Sequence, residues 1–569
     1  KEIAYEFRRK GFLVGAIIKT KDGCSFLLSL SPKLVLKLAL ELNLPLKTFG
    51  EYTNLEKLRI ASAAILVINR AKSIQAEDVW ISHDKNMLKE IDSTSGDIHL
   101  AHVKDYYGSK IAMYFGWLAF FTKVLAIPSV AGLLLFCHQI YLQDVDSIWV
   151  PFFCVLISLW STYFLEFWKR RGNELSYGWK VFAVEDADTE QDLAKSARRS
   201  DEGVPVRQLL SFVTVLSLMY VMIRVMLYFK NMQLNAAAIY GEESYYKYYP
   251  TVLYSVLPAV ATVVFEPIAH ALNKFEGHTT KTDAENSMIF KHFALEFVNR
   301  YCALFHAAFW LNDLDVLRSL LISLLTINAV LNNAVEIGTP MLKSAYNRWS
   351  NRAKARKERL KRAKDKALGQ SEPSALPVNG KPTLHIDTTG TAAVPSDQTT
   401  FPPTDQRCKL KEILEEEVAK TDYDLNADYL EIVIQYGYVT MFVVAFPLAP
   451  ALALLNNIFE SRVDLFKLTE CRRPALQQRS NIGSWQYCME FISFLAVITN
   501  CYLIVMVSTH FEMIVPGELI AMMLIEHILL GFKIVMMYVI DDVPRWIREA
   551  VAAQNSAERE ALAKARLQK

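Results

Sequence analysis

Cysteine is scarce in this sequence and unpatterned. Eight are spread over 569 residues, with no CxxC pair, and Cys137, Cys154, Cys302, Cys488 and Cys501 sit in or beside apolar runs. That excludes a disulfide framework or a structural zinc site as the organising feature. Net charge is missing too: 62 Lys and Arg stand against 60 Asp and Glu, a balance that is uninformative because acids and bases are segregated along the chain. No P-loop is present and the first hundred residues carry no catalytic motif, so the chain is not read as an enzyme and no nucleic-acid partner is expected. No Met opens the sequence and no signal peptide is evident, which leads us to expect a start downstream of the natural one.

Apolar surface is abundant instead. Hydrophobic residues make up 52% of the chain and mean hydropathy is positive. At roughly 150 residues per domain the length would suggest three or four soluble domains. The apolar residues, however, come in runs long enough to cross a hydrocarbon core of ~30 Å. Ten are predicted, near 110–137, 146–168, 206–230, 249–273, 289–310, 317–345, 426–446, 449–468, 486–509 and 517–540. The loops on one side hold a single base, Lys247, whereas those on the other include WKRRGNELSYGWK and CRRPALQQR. By the positive-inside rule both termini lie in the cytosol; an odd number of spans would break that pattern, which supports ten.

The predicted fold class is therefore a mainly α membrane protein with soluble additions. Residues 1–102 read as a cytosolic α/β (ferredoxin-like) domain, with strands at GFLVGAII and CSFLLSL and a helix at SPKLVLKLALEL. Residues 103–346 hold spans one to six and 426–541 hold spans seven to ten. Between them, 347–425 begins as a basic helix, read as a solvated extension with anionic headgroups as the alternative partner, and becomes a Pro-, Ser-, Thr- and Gly-rich linker. Its DTTGT resembles a P-type ATPase phosphorylation motif, but Thr388 replaces the required Lys and the match is accidental. Residues 542–569 read as a charged cytosolic helix.

Three spans carry acids where apolar surroundings are expected. The sixth has Asn332 and Glu336, the seventh Asp428 and Glu431, and the eighth Asn456, Glu460 and Asp464. Spacings of three and four put each set on one helix face. At ~1.5 Å per residue, Glu431 lies ~24 Å below Pro447, and Glu460 and Asp464 lie roughly 15 and 21 Å below Pro450, so the groups reach similar depth in the inner half of the bilayer. A charged acid at a helix centre costs about 2.5–3.5 kcal/mol, less near the interface. Arg462 is the only base seen amid these motifs, and it points to another face than Glu460. Protonation, ion pairing or cytosolic exposure would relieve the charge. A divalent cation does so more simply: five carboxylates with Asn332 and Asn456 form an all-oxygen set suited to Ca2+ or Mg2+, and flexible carboxylates favour Ca2+.

The stretches NNAVEIGTP, DYLEIVIQYGYVTMFVVAFPLAPALALLNNIFESRVD and CRRP resemble the core of the anoctamins. KDYYGSKIAMYFGWLAFFT, FLEFWKRRGNELSYGW and EGHTTKTDAENSMIFKHFALEFVN resemble further family hallmarks, over about 103–543. The resemblance implies ten spans, a homodimer and two Ca2+ ions per subunit, held by Asn332, Glu336, Asp428, Glu431, Asn456, Glu460 and Asp464. It also implies a weaker, third cation position at Glu166 and Asp542. Membrane phospholipids and permeating ions are the expected partners, in the plasma membrane or endoplasmic reticulum.

Polar stripes bear on which activity to expect. The fourth span has Thr251, Ser255, Thr262, Glu266 and His270 on one face, the fifth His292, Glu296, Asn299 and His306, and the sixth Ser319, Ser323 and Thr326. Each could be satisfied by interhelical hydrogen bonds, but three neighbouring stripes favour a wet groove for lipid headgroups. Short outer loops without cysteine resemble the compact fungal scramblase branch. The expected function is Ca2+-activated lipid scrambling with non-selective ion conduction. The alternatives are a Ca2+-activated chloride channel and a membrane-contact tether.

Overall fold

The computed structural model describes residues 12–20, 23–30, 96–143, 147–182, 204–235, 249–278, 280–327, 338, 420, 422–471, 477–507 and 517–567. Asn332, Glu336, the basic stretch, the linker and most of the predicted N-terminal domain lie outside them, as do the side chains of Thr251 and Ser255. The chain divides into two compact units. In the first, strands β1 (Phe12–Thr20) and β2 (Gly23–Leu30) pair antiparallel from Phe12 opposite Leu30 to Thr20 opposite Gly23. They coincide with the two predicted strands.

The second unit is helical: α1 (Gly96–Tyr107), α2 (Ser109–Leu142), α3 (Val150–Gly178), α4 (Val204–Leu234), α5 (Tyr249–Glu276), α6 (Lys281–Phe305), α7 (Leu314–Ile327), α8 (Leu425–Met441), α9 (Ala449–Glu470), α10 (Trp485–Tyr502), α11 (Glu518–Val539) and α12 (Arg545–Leu567). From α2 to α11 a helix stands in each of the ten predicted runs. Among the described residues, five helices are long and apolar enough to cross a membrane: α2, α3, α4, α10 extended to Val505, and α11 from Met522. In α4 and α11 only 22% and 6% of the most apolar window is buried, leaving Leu209, Phe212, Leu216, Leu524, Ile528 and Val535 exposed. Water would not tolerate such faces, and hydrocarbon would. This is an integral membrane protein.

Local sequence explains where the helices start. Thr280 caps α6 by accepting from the Asp283 amide at 3.0 Å, and Asp424 caps α8 by accepting from Asn426 at 3.0 Å. After α6 the helix widens into a π-helical segment, His306–Leu311, and Asn312 at φ 51° ends it. Asp313 then accepts from the amides of Asp315 and Val316, starting α7.

The core is aromatic, built from Trp117, Phe121, Trp160, Phe164, Tyr429, Tyr436 and Trp485 between α2, α3, α8 and α10. Small residues let backbones approach. A Cβ on Gly132 would lie 2.1 Å from the Pro447 carbonyl, and one on Gly437 would lie 2.0 Å from the Tyr301 hydroxyl. That hydroxyl donates to the Ile434 carbonyl at 2.6 Å, fastening α6 to α8. Gln435 donates to the Ala453 carbonyl at 2.9 Å, fixing α8 against α9. Polar hydrogen bonds between apolar helices supply the register that lipid-like surfaces lack.

Candidate metal centre and adjoining cavity

Helices α8 and α9, joined by the Pro447–Pro450 corner, bring their acids together. Asp428, Glu460 and Asp464 are buried, at 4%, 3% and 0% exposure. Asp428 accepts from the Tyr423 hydroxyl, and Asp464 from the hydroxyl of Tyr114 on α2. Lys467 donates to Asp428, and its ammonium also lies 3.7 Å from Asp464. Arg462 is thus not the only base amid the motifs. Lys467 follows Asp464 by three residues, the spacing that shares a helix face, and that signal was legible.

Glu431 and Asn456 stand on the same two helices. With Glu296, Arg300, Gln435 and Tyr438 they line a cavity of about 260 Å³. Asn456 donates to Gln435 at 3.2 Å. Asn457, its neighbour, is fully buried, and neither of its side-chain polar atoms has a hydrogen-bond partner among the described residues. It precedes Glu460 by three and Asp464 by seven, so it shares their face.

These residues fit a hard divalent cation. The donors are carboxylate and amide oxygens, and an orphaned buried amide lies in their row. They do not form a finished cage: among the described residues no three acid, imidazole or thiol groups already converge at metal-binding spacing. The ammonium of Lys467 lies within ion-pair distance of both Asp428 and Asp464.

The other predicted residues divide. Thr262 on α5 stands 3.5 Å from Glu296 on α6, and Glu296 also accepts from Asn299 at 3.2 Å and from Arg300 at 3.1 Å. Glu266 and His270 are exposed one turn apart, 3.9 Å from each other. A polar seam therefore starts where Thr262 of α5 meets Glu296 of α6, at the cavity wall. Ser319, Ser323 and Thr326 are exposed on α7, with Ser323 donating to its own helix at Ser319. Glu166 is paired with Lys169 at 3.1 Å, and Lys169 also holds Glu490 at 2.9 Å. Asp542 is exposed, and its carbonyl accepts from Asn173. An ammonium of the chain itself already serves the carboxylate of the extra position.

Arg300, Gln435, Tyr114 and Tyr423 were missed by sequence reading. Arg300 and Gln435 follow Glu296 and Glu431 by four, so spacing pointed to both; nothing in the sequence signalled Tyr114, which lies 350 residues from Asp464.

Away from the acid cluster, Glu276 and Glu285 anchor two charged knots. Glu276 takes hydrogen bonds from Ser211 and from Ser287 at 2.6 Å, with Lys291 at 2.7 Å and His278 at 2.6 Å. Burial alone pushes its carboxyl up, but the bonds from Lys291, Ser211 and Ser287 outweigh this and hold it at about 2. Glu285 pairs with Lys110 at 2.6 Å and Arg479 at 3.4 Å; burial raises its pKa, and these two cations bring it below the usual range.

Apolar helices around a buried acidic cluster define a multi-pass membrane protein with a charged centre in its span region. The family profile described as "Anoctamin: Calcium-activated chloride channel" matches residues 103–554, and the chain belongs to the anoctamin family. The family is calcium-activated and includes both scramblases and chloride channels, with membrane lipids and ions as what its members act on. Anoctamin-10 of Homo sapiens is 28% identical over 515 residues, covering 85% of this chain and 69% of the relative. Anoctamin-10 of Mus musculus is 27% identical over 511 residues with the same coverage, and anoctamin-8 of Mus musculus is 24% identical over 650 residues, covering 81% and 61%.

Proposed function

We propose that this chain is a Ca2+-activated phospholipid scramblase with ten spans, acting as a homodimer and conducting ions without strong selectivity. The observation that carries the reading is a shared wall. Glu431 and Asn456, expected metal ligands, line the same cavity as Glu296, where the polar seam between α5 and α6 arrives.

Asp428, Glu431, Asn456, Glu460 and Asp464 would hold the metal, with Asn332 and Glu336 as the remaining ligands and room for two ions in the donor count. Bound Ca2+ supplies positive charge that lets the carboxylates approach one another. The chain's own part is to hold α8 and α9 in register through Gln435 and to place Glu431 where a change at the centre alters the cavity. The seam offers water and hydrogen bonds to a headgroup while acyl chains stay in the bilayer, so lipids move down their gradient without ATP. The coupling free energy is the difference in Ca2+ affinity between the resting and conducting states. Both termini face the cytosol of the plasma membrane or endoplasmic reticulum.

Arg300 favours a second reading. Its guanidinium belongs to the cavity wall, and a fixed cation there suits an anion path. Liposomes carrying fluorescent lipids and a chloride reporter separate the two. Calcium-stimulated lipid exposure, lost in Asp428→Ala/Glu431→Ala, is the expected result; chloride flux without lipid movement would replace it with the channel, and silence in both would leave the tether.

A further inference from the structure

Lys467 occupies an unusual place for a lysine. It stands in the last turn of α9, and its ammonium meets Asp428 of α8 as well as Asp464 of its own helix. The two aspartates are almost wholly sequestered, with side-chain exposures of 2% and 0%, whereas the lysine keeps 19%. Each aspartate's other oxygen takes a phenol hydroxyl, from Tyr423 and Tyr114. One ammonium therefore bridges a carboxylate from each of two helices.

We propose that Lys467 is a resident counter-cation that a metal ion must displace, and that this competition sets both the threshold and the charge selectivity of the centre. The proposal rests on the reading that Asp428 and Asp464 bind a divalent cation. A monovalent ion brings no more charge than the ammonium and must also be taken from free solution, so it gains nothing over a tethered group. A divalent ion doubles the charge set against the same carboxylates. The displaced lysine has somewhere to go, because its flexible four-carbon stem and partial exposure let the head swing into water. Whatever stabilises the metal-free form weakens metal binding by the same amount. Removing the ammonium takes one positive charge away from these carboxylates, so the metal-free form rises in energy and affinity increases.

Two measurements on the full chain in nanodiscs test this. Calcium titration calorimetry should give Lys467→Met a Kd at least about tenfold tighter than wild type, a difference of about 1.4 kcal/mol. Raising Na+ should weaken calcium binding more in the variant than in wild type, since the built-in competitor is gone. In wild type, acylation of the Lys467 amine, read by peptide mass spectrometry, should be slow without Ca2+, fast with it and unchanged by Na+. Equal calcium affinity in the two proteins overturns the proposal alone, as does Lys467 labelling that ignores bound calcium. The labelling arm needs no substitution and decides the matter even where Lys467→Met does not fold. No calcium binding by wild type would overturn the underlying reading, and the proposal with it.

Discussion

A single carboxylate shows how far burial and partners can pull apart. Glu276 is 4% exposed, yet it is held ionised because lysine and two serines donate to it. Its pKa falls from an ordinary 4.5 to about 2 on folding, so the charged form contributes stability above the ordinary value, and that contribution is lost as pH falls from 4.5 through 2. Glu276→Gln should melt below wild type at pH 7, with the difference shrinking as both are acidified to pH 3; a constant difference would place its role in packing. At the centre, Glu431→Gln removes a charged oxygen shared with the cavity. We expect its calcium activation curve in the liposome assay to move to at least about tenfold higher calcium, about 1.4 kcal/mol of lost binding.

At the scale of elements, α6, α8 and α9 are the working parts, and short polar contacts hold them in register. Tyr301 lies across Gly437 and reaches the Ile434 carbonyl, so α6 is bolted to α8 there. Gly437→Ala forces a methyl against a buried ring and should cost about 1–3 kcal/mol by overpacking. Tyr301→Phe should cost about 1 kcal/mol through the lost hydrogen bond. Because the nearest clashing atom is the hydroxyl, with ring Cζ next at 2.7 Å, the double substitution relieves part of the clash and should melt higher than the sum of the single effects predicts; simple additivity would show that the two positions do not meet. Helix entry is more local: Thr280→Ala removes the cap of α6 and should destabilise by about 1 kcal/mol.

For the whole molecule, the question is which cargo crosses. The cavity has acids from two helices and one guanidinium, a mixed lining that suits a zwitterionic headgroup as well as ions. Arg300→Gln should lower the chloride-to-sodium permeability ratio in reconstituted vesicles while lipid scrambling persists. If scrambling disappears while chloride flux survives, Arg300 belongs to the lipid path rather than the ion path. The exposed apolar faces of α4 and α11 are explained by hydrocarbon.

The class of protein was legible from the chain alone. Long apolar runs, their loop charges and acids at spacings of three and four are local signals, because a helix repeats every 3.6 residues whatever surrounds it. The same periodicity placed Asp428, Glu460 and Asp464 on buried faces and marked the Thr262–Glu296 seam. It could not say that Glu431 and Asn456 look into a cavity, that Lys467 crosses to a helix 39 residues back, or that Tyr114 reaches Asp464 from 350 residues away. Those pairings depend on how helices cross and rotate, which is set by packing details such as Gly132 beneath Pro447 and Gly437 beneath Tyr301. Sequence determined which charges the membrane must accommodate; the packing of the helices decided which partner each charge found.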